Sequence, residues 1–312
     1  MEKTKTCRRG LKRLLAFLLS ALCLLGLLPM SAFAMEPGQT ASSWLGDQYV
    51  GSDGQHYYSP APYTYLVYNS DGTMDVRTSS GGSAYRHYML TVSDGTSHQV
   101  YCVESGIPYN TSDNTYTSES GTNSQYLNLL PAEARRGITL TAIYGWKPGA
   151  SLPVSGINED DYKMATQIIL WEYQQQLRSD PYSRHGNGHA SADQYYSVIA
   201  GRPAEKAYNW ILEQVASHST VPSFTSSSKD GAPELELKWD SEQRVYTLTV
   251  TDTNNLGIDL DLLSGSGVSV TRNGNQYTFT SKDMIMDPVT FEFRKDIPVA
   301  NDMLIWGRPG YQ

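Results

Sequence analysis

The chain has 312 residues, 39% hydrophobic and 18% charged, with a formal net charge of −8. This composition excludes a disordered chain and a disulfide scaffold, and the length predicts about two domains. The mean hydropathy of −0.42 excludes a polytopic membrane protein.

The N-terminus reads as an export signal. Lys3, Lys5, Arg8, Arg9, Lys12 and Arg13 form a basic region, Leu14 to Leu28 is almost wholly apolar, and Ala32-Phe33-Ala34 offers a small-x-small cleavage pattern. The apolar run is short for a bilayer span, and bulky Leu22 before Cys23 argues against lipidation. Cleavage after Ala34 takes away six of the 24 basic residues and one of the 32 acidic ones, leaving a mature charge of about −13. No basic run remains, which argues against nucleic acid or an anionic membrane as partner. The three cysteines fall to one, Cys102. An exported chain meets oxidising conditions, so an unpaired cysteine there calls for a reason. It is a buried inert residue, a nucleophile, or a side chain joined to something other than sulfur.

Residues 35–56 are rich in Gly, Ser and Thr and read as a loose lead-in, with Trp44 and Leu45 docking onto the adjoining domain. From Tyr57 to Glu104 the aromatic and β-branched runs 63–69, 85–92 and 98–104 predict strands, punctuated by Asp71-Gly72, Gly81-Gly82 and Asp94-Gly95 turns. Residues 131–146 open with proline and then follow a helical period. Asn158 to Asp161 is an acidic helix start, and the helix continues to Leu177 with Met164, Ile168, Trp171 and Gln175 on one stripe. A polar loop, 178–194, precedes a third helix over 203–218, with Ala207, Trp210, Ile211, Gln214 and Val215 facing inward.

The Ser- and Thr-rich stretch 221–233 reads as a linker. Beyond it, 235–239, 245–250, 268–270, 277–279 and 289–293 predict short strands, with an Asn273-Gly274 hairpin signal between two of them. Together they suggest an immunoglobulin-like β-sandwich over 234–312. The whole is therefore expected to be α+β: a β-rich and helical domain over 57–220, then an all-β domain. The chain end Pro309 to Gln312 has no sorting motif or apolar tail, as expected of a piece of a longer surface protein with further C-terminal domains.

Two short patterns carry the chemistry. Tyr101-Cys102-Val103-Glu104 ends a predicted strand, and Thr166-Gln167-Ile168-Ile169-Leu170-Trp171 lies early in the second long helix. Gln167 and Trp171 are four apart and share a helix face. A carboxamide buried with unmet hydrogen bonds costs about 1–3 kcal/mol, so a glutamine on an apolar face demands a partner.

An aromatic-Cys-aliphatic-acid strand followed by a Thr-Gln-x-x-aliphatic-Trp helix resembles the bacterial thioester domain family of Gram-positive surface adhesins. The resemblance spans roughly residues 57–220. It implies an internal thioester between Cys102 and Gln167, with Thr166 and Trp171 supporting its geometry and shielding, and an immunoglobulin-like stalk domain following. One position departs: Ile169 stands where the family usually has alanine. The resemblance further implies a single-turnover covalent binding protein rather than an enzyme, located at the cell surface or in the cell wall. It would couple to a lysine amine of a host or surface protein without any cofactor.

The chemistry is coherent by itself. A thiolate held against an amide carbonyl can displace ammonia, with fixed orientation contributing roughly 7–11 kcal/mol in favourable cases. Backbone N–H groups or the Thr166 hydroxyl are candidate oxyanion donors.

Other readings are a secreted cysteine hydrolase or a transglutaminase-like acyl transferase using Cys102. Either needs a basic histidine from among His56, His87, His98, His185, His189 and His218. The spacing of His185 and His189 fits a metal pair, but no acid or cysteine completes a set, so no metal is expected. Glu159, Asp160 and Asp161 read as helix N-terminal charge. In the C-terminal domain, Lys238 and Asn301 are remote candidates for an isopeptide crosslink, against an ordinary exposed lysine.

Overall fold

The computed structural model describes residues 36–107, 109, 115–226, 231–294 and 303–307. The expected signal segment 1–34, Asn301 and the chain end 309–312 lie outside the described residues. Among those described, no helix is long and apolar enough to cross a membrane.

The architecture is mixed α+β, as expected. The N-terminal sheet is antiparallel with strand order β13-β6-β1-β4-β5, built from β1 (Thr40–Gln48), β4 (Arg86–Val92), β5 (Ser97–Val100), β6 (Thr115–Ser120) and β13 (Leu304–Gly307). A separate hairpin pairs β2 (Tyr63–Tyr68) with β3 (Met74–Ser79). Its turn is the Asp71-Gly72 signal, with Gly72 at φ +82° and the Thr73 N–H donating to the Asp71 carboxylate. The Asp94-Gly95 turn joins β4 to β5 in the same way, with Gly95 at φ +87°.

The expected loose lead-in is corrected: β1 is the middle strand of the five. Apart from Trp44 and Leu45 its residues are short or polar, so little β-propensity announces it. The strand forms because its two flanks supply pairing, Ala41↔Val92 on one side and Ala41↔Tyr116 on the other. Ala41 and Ser43 point inward, and Ala41 packs with Leu90 and Val92. Trp44 and Leu45 remain largely exposed. Strand β13 is a second departure from expectation. Leu304 to Gly307, from the segment expected to end the sandwich, pairs with β6, burying Ile305 and laying Trp306 against the Ala41 cluster.

Among the described residues, four α-helices make the other half: α1 (Gln125–Leu129), α2 (Ala132–Tyr144), α3 (Glu159–Gln174) and α4 (Ala204–Ser217). Helix α2 follows Pro131, as the sequence predicts, and ends at Gly145. Glycine is needed where α2 crosses α3. A Cβ at Gly137 would meet the Tyr173 ring at 2.2 Å, and one at Gly145 would meet Thr166 Cγ2 at 2.3 Å.

Helix α3 begins with a full capping box between Asn158 and Asp161, and its first-turn acids suit the helix dipole. The predicted single apolar stripe understates its burial: every residue from Asp161 to Gln174 is buried. A helix can be buried on all sides only if most of its polar side chains find partners. Asp161 accepts from the Tyr57 hydroxyl at 2.5 Å and the Ser52 N–H at 3.0 Å. Glu172 pairs with Arg178 at 3.0 Å and accepts from Tyr208 at 2.7 Å. These contacts fix α3 as the axis around which the strands and the other helices are arranged.

The C-terminal part holds a sheet of order β10-β11-β8-β7, made of β7 (Lys238–Asp240), β8 (Val245–Thr251), β10 (Ser269–Asn273) and β11 (Gln276–Ser281). A second pair joins β9 (Leu260–Ser264) to β12 (Thr290–Phe293). Phe279 of the first sheet and Phe291 of the second meet edge-to-face at 5.4 Å. The expected hairpin is present, with Asn273 opposite Gln276 and Gly274 at φ +61°. Phe224, from the expected linker, packs on Tyr277 and Phe279.

Candidate functional site

Strand β5 stops at Val100, and the chain then leaves the sheet. A strand end leaves backbone donors and acceptors without a ladder partner, and buried ones must be paired. Gln167 of α3 supplies the pairing for Cys102. Its side-chain oxygen accepts from the Cys102 N–H at 3.0 Å, and its amide nitrogen donates to the Cys102 carbonyl at 2.6 Å. Gln167 is fully buried, and Cys102 is part-buried against the core. The structure thus brings together the two residues singled out from the sequence, which are 65 positions apart.

The thiol donates to the Glu104 carbonyl at 3.3 Å. Burial pushes its pKa up to about 12, against a smaller opposing effect of that carbonyl. The neighbouring segment is held by phenols. Tyr101 donates to the Trp146 carbonyl at 3.1 Å, Tyr126 to the Val103 carbonyl at 3.5 Å, and Tyr195 shares a 2.5 Å bond with Ser105.

Trp171, one turn beyond Gln167, lies between Tyr85 and Tyr195, with ring centroids at 5.5 and 5.6 Å. Its indole N–H is buried without a hydrogen-bond partner. It sits close enough to Cys102 to favour the thiolate there. Thr166 plays another part. Its hydroxyl donates to the Tyr162 carbonyl at 2.8 Å and accepts from the Trp146 N–H at 3.0 Å, so it ties the end of α2 to α3. Ile169 is fully buried in the main core.

Sequence reasoning missed two features. Glu104 reads in the sequence only as part of the motif, yet burial raises its carboxyl to about 7. The glutamine grip is also repeated. Gln175 holds both backbone groups of Leu66, at 2.5 and 3.0 Å, and Gln194 holds both of Thr64, at 3.1 and 2.8 Å. Three glutamines therefore act as one-residue strand partners, and these two dock the β2–β3 hairpin onto the helices.

The side chains of His87 and His218 have partners away from Cys102. His87 bonds Gln99 at 2.9 Å and lies 3.3 Å from Asp160, and His218 bonds Tyr144 at 2.9 Å. His98 stands opposite Leu90 in the β4–β5 ladder, and His56 bridges to Val50. His185 and His189 lie in the loop beyond α3, where their backbone N–H groups donate to the Leu177 carbonyl and the Asn187 side chain. Among the described residues no group of three or more His, Cys, Asp or Glu side chains gathers as a metal set. Lys238 is exposed on β7.

A strand-end cysteine gripped through its backbone by a buried helical glutamine, inside an α+β domain, defines a protein built around a Cys–Gln pair. The family model for the thioester domain matches residues 99–217, a span that contains both residues and supports a thioester domain there. No curated protein and no solved structure matches the chain.

Proposed function

We propose that this is an exported surface adhesin in which the Cys102 sulfur and the Gln167 carbonyl carbon form an internal thioester, used once to acylate a lysine amine of a host or surface protein. The observation that carries the reading is the grip of Gln167 on Cys102 within the thioester-domain match. In bond formation the Cys102 sulfur attacks the carboxamide carbon, the C–N bond breaks, and ammonia leaves with the thiol proton. The Cys102 N–H already holds the carbonyl oxygen, where negative charge develops. The Cys102 carbonyl already holds the departing nitrogen. On capture, an amine attacks the same carbon, the C–S bond breaks, and an amide joins the two proteins.

Each molecule reacts once, so the protein is a covalent binder and not a turnover enzyme. Trp171 serves as shield and as a donor to the released sulfur, while Thr166 holds α3 in register. The C-terminal sheets serve as an immunoglobulin-like stalk. Export to the surface or wall follows from the N-terminal signal pattern. The hydrolase and transglutaminase readings have no histidine in their favour at Cys102.

The test is the intact mass of the purified mature protein. The expected value is one ammonia below the sequence mass, returning to the full mass in Cys102→Ala and in Gln167→Ala. Methylamine should abolish the deficit and expose one titratable thiol. A full-mass wild-type protein whose cysteine labels at once would refute the reading.

A further inference from the structure

We propose that the Tyr101 phenol is a positioning residue for thioester formation, acting with Thr166 through the backbone of Trp146 to hold Cys102 against Gln167. This rests on the thioester reading, and the step is the one already written: the C–S bond forms, the C–N bond breaks, and ammonia leaves with the thiol proton. Each reacting residue is preceded by one with a hydroxyl, Tyr101 before Cys102 and Thr166 before Gln167. The Tyr101 hydroxyl donates to the Trp146 carbonyl at 3.1 Å, and the Trp146 N–H donates to the Thr166 hydroxyl at 3.0 Å. One residue of backbone thus joins the neighbour of the thiol to the neighbour of the carboxamide.

The bridge is itself fixed. Trp146 follows Gly145 at the end of α2, where a Cβ would meet Thr166 Cγ2 at 2.3 Å and the Thr141 carbonyl at 2.7 Å, so this turn seats directly on α3. The Trp146 side chain is buried, and the Lys163 ammonium of α3 stands 4.3 Å from the centre of its ring. Thr166 is fully buried and donates onward to the Tyr162 carbonyl at 2.8 Å. Turning its hydroxyl away would forfeit two hydrogen bonds inside the core.

The need for a second fastening follows from where β5 stops. The ladder ends at Val100, and Gln167 then grips residue 102. A segment held at one residue can pivot about it, which moves the sulfur without breaking the grip. The other two gripped residues, Thr64 and Leu66, lie inside the β2–β3 ladder, which already sets their direction. Cys102 has no ladder, and the Tyr101 bond supplies the missing fixed point, tied through Trp146 to the helix that carries Gln167. Tyr126 reaches the Val103 carbonyl at 3.5 Å, but from α1 and not from α3. A displacement of about 1 Å between reacting atoms costs on the order of 100-fold in rate, so the orientation of this segment governs bond formation.

The experiment starts from the full chain held unfolded in urea with its thiol and carboxamide intact. Dilution starts folding, which circular dichroism follows, while intact mass at timed quenches follows the loss of ammonia. Wild type is compared with Tyr101→Phe, Thr166→Val, the double variant and Thr166→Ser. Once folded, Tyr101→Phe and Thr166→Val should each lose ammonia about 10- to 100-fold more slowly than wild type. The double variant should be no slower than the slower single one, because both substitutions cut one bridge. Thr166→Ser keeps the hydroxyl and should react at the wild-type rate. A folded Tyr101→Phe protein that loses ammonia as fast as wild type overturns the proposal, as do single effects that multiply in the double variant. If Tyr101→Phe does not fold, the Thr166 pair decides: Thr166→Val slow beside Thr166→Ser fast supports the proposal, and equal rates overturn it. A wild-type protein that folds and keeps its full mass overturns the thioester reading itself, and this inference with it.

Discussion

The Cys102→Ala substitution separates a crosslink from a hydrogen-bond clamp. Gln167 grips the backbone N–H and C=O of residue 102, and alanine keeps both. If the grip is the whole interaction, the substitution removes one part-buried sulfur, worth about 1 kcal/mol by area burial. If the side chains are joined, the substitution also opens a loop spanning Cys102 to Gln167. In the chain-entropy relation for crosslinks, a closed loop of about 66 residues is worth roughly 4 kcal/mol. The expected total loss is therefore about 5 kcal/mol, or roughly 10–20 °C in Tm for a domain of this size. The assay is urea or rapid thermal unfolding of three samples: untreated wild type, wild type opened with methylamine, and Cys102→Ala. The opened protein and the variant should melt close together and well below untreated wild type. If all three coincide within about 1 kcal/mol, the loop was never closed and the entropic reasoning fails.

Two more outcomes are expected from the same geometry. Gln175→Ala leaves the Leu66 N–H and C=O without partners in a buried setting, at about 1–3 kcal/mol each, so urea unfolding should show a loss of about 2–6 kcal/mol while the ammonia deficit persists. Glu104 should make stability fall as pH rises. Its folded pKa of about 7 lies above the ordinary 4.5, so the folded state holds the extra proton, and the penalty builds between those values. The full shift corresponds to about 3 kcal/mol, or about 2 after allowing for partial exposure. Comparing Cys102→Ala with Cys102→Ala/Glu104→Gln by urea titration at acid and neutral pH checks this, and parallel curves would refute it.

Some of this is legible in the chain and some is not, for identifiable reasons. The start of α3 is local chemistry: Asn158 caps, Asp161 closes the box, and three acids meet the dipole. The Asp71-Gly72 and Asp94-Gly95 turns are local in the same sense, each needing a positive φ that glycine supplies. The burial of α3 on every side is not legible, because its polar residues are satisfied from far along the chain. Tyr57 lies 104 positions before Asp161, and Leu66 lies 109 before Gln175. Strands β1 and β13 escape for a related reason, since short polar residues and an isolated Leu-Ile-Trp become strands only when a neighbour supplies the ladder. The raised carboxyl of Glu104 is hidden because adjacency in sequence says nothing about desolvation.

The repeated glutamine grip sharpens what the Cys–Gln pattern means. A buried glutamine on a helix face looks chemical in the sequence because a carboxamide there needs a reason. Gln175 and Gln194 show that pairing one residue of extended chain is reason enough. They are natural controls, with the same two hydrogen bonds on residues 66 and 64. Leu66 offers no nucleophile, and the Thr64 hydroxyl pairs with Thr78. At Gln167 alone the gripped residue carries a thiol. The grip places the carboxamide, and the residue held in it decides whether placement ends as a fastening or proceeds to a bond. The Cys102–Gln167 pair is therefore best understood as a structural clamp of this fold with cysteine at the clamped position.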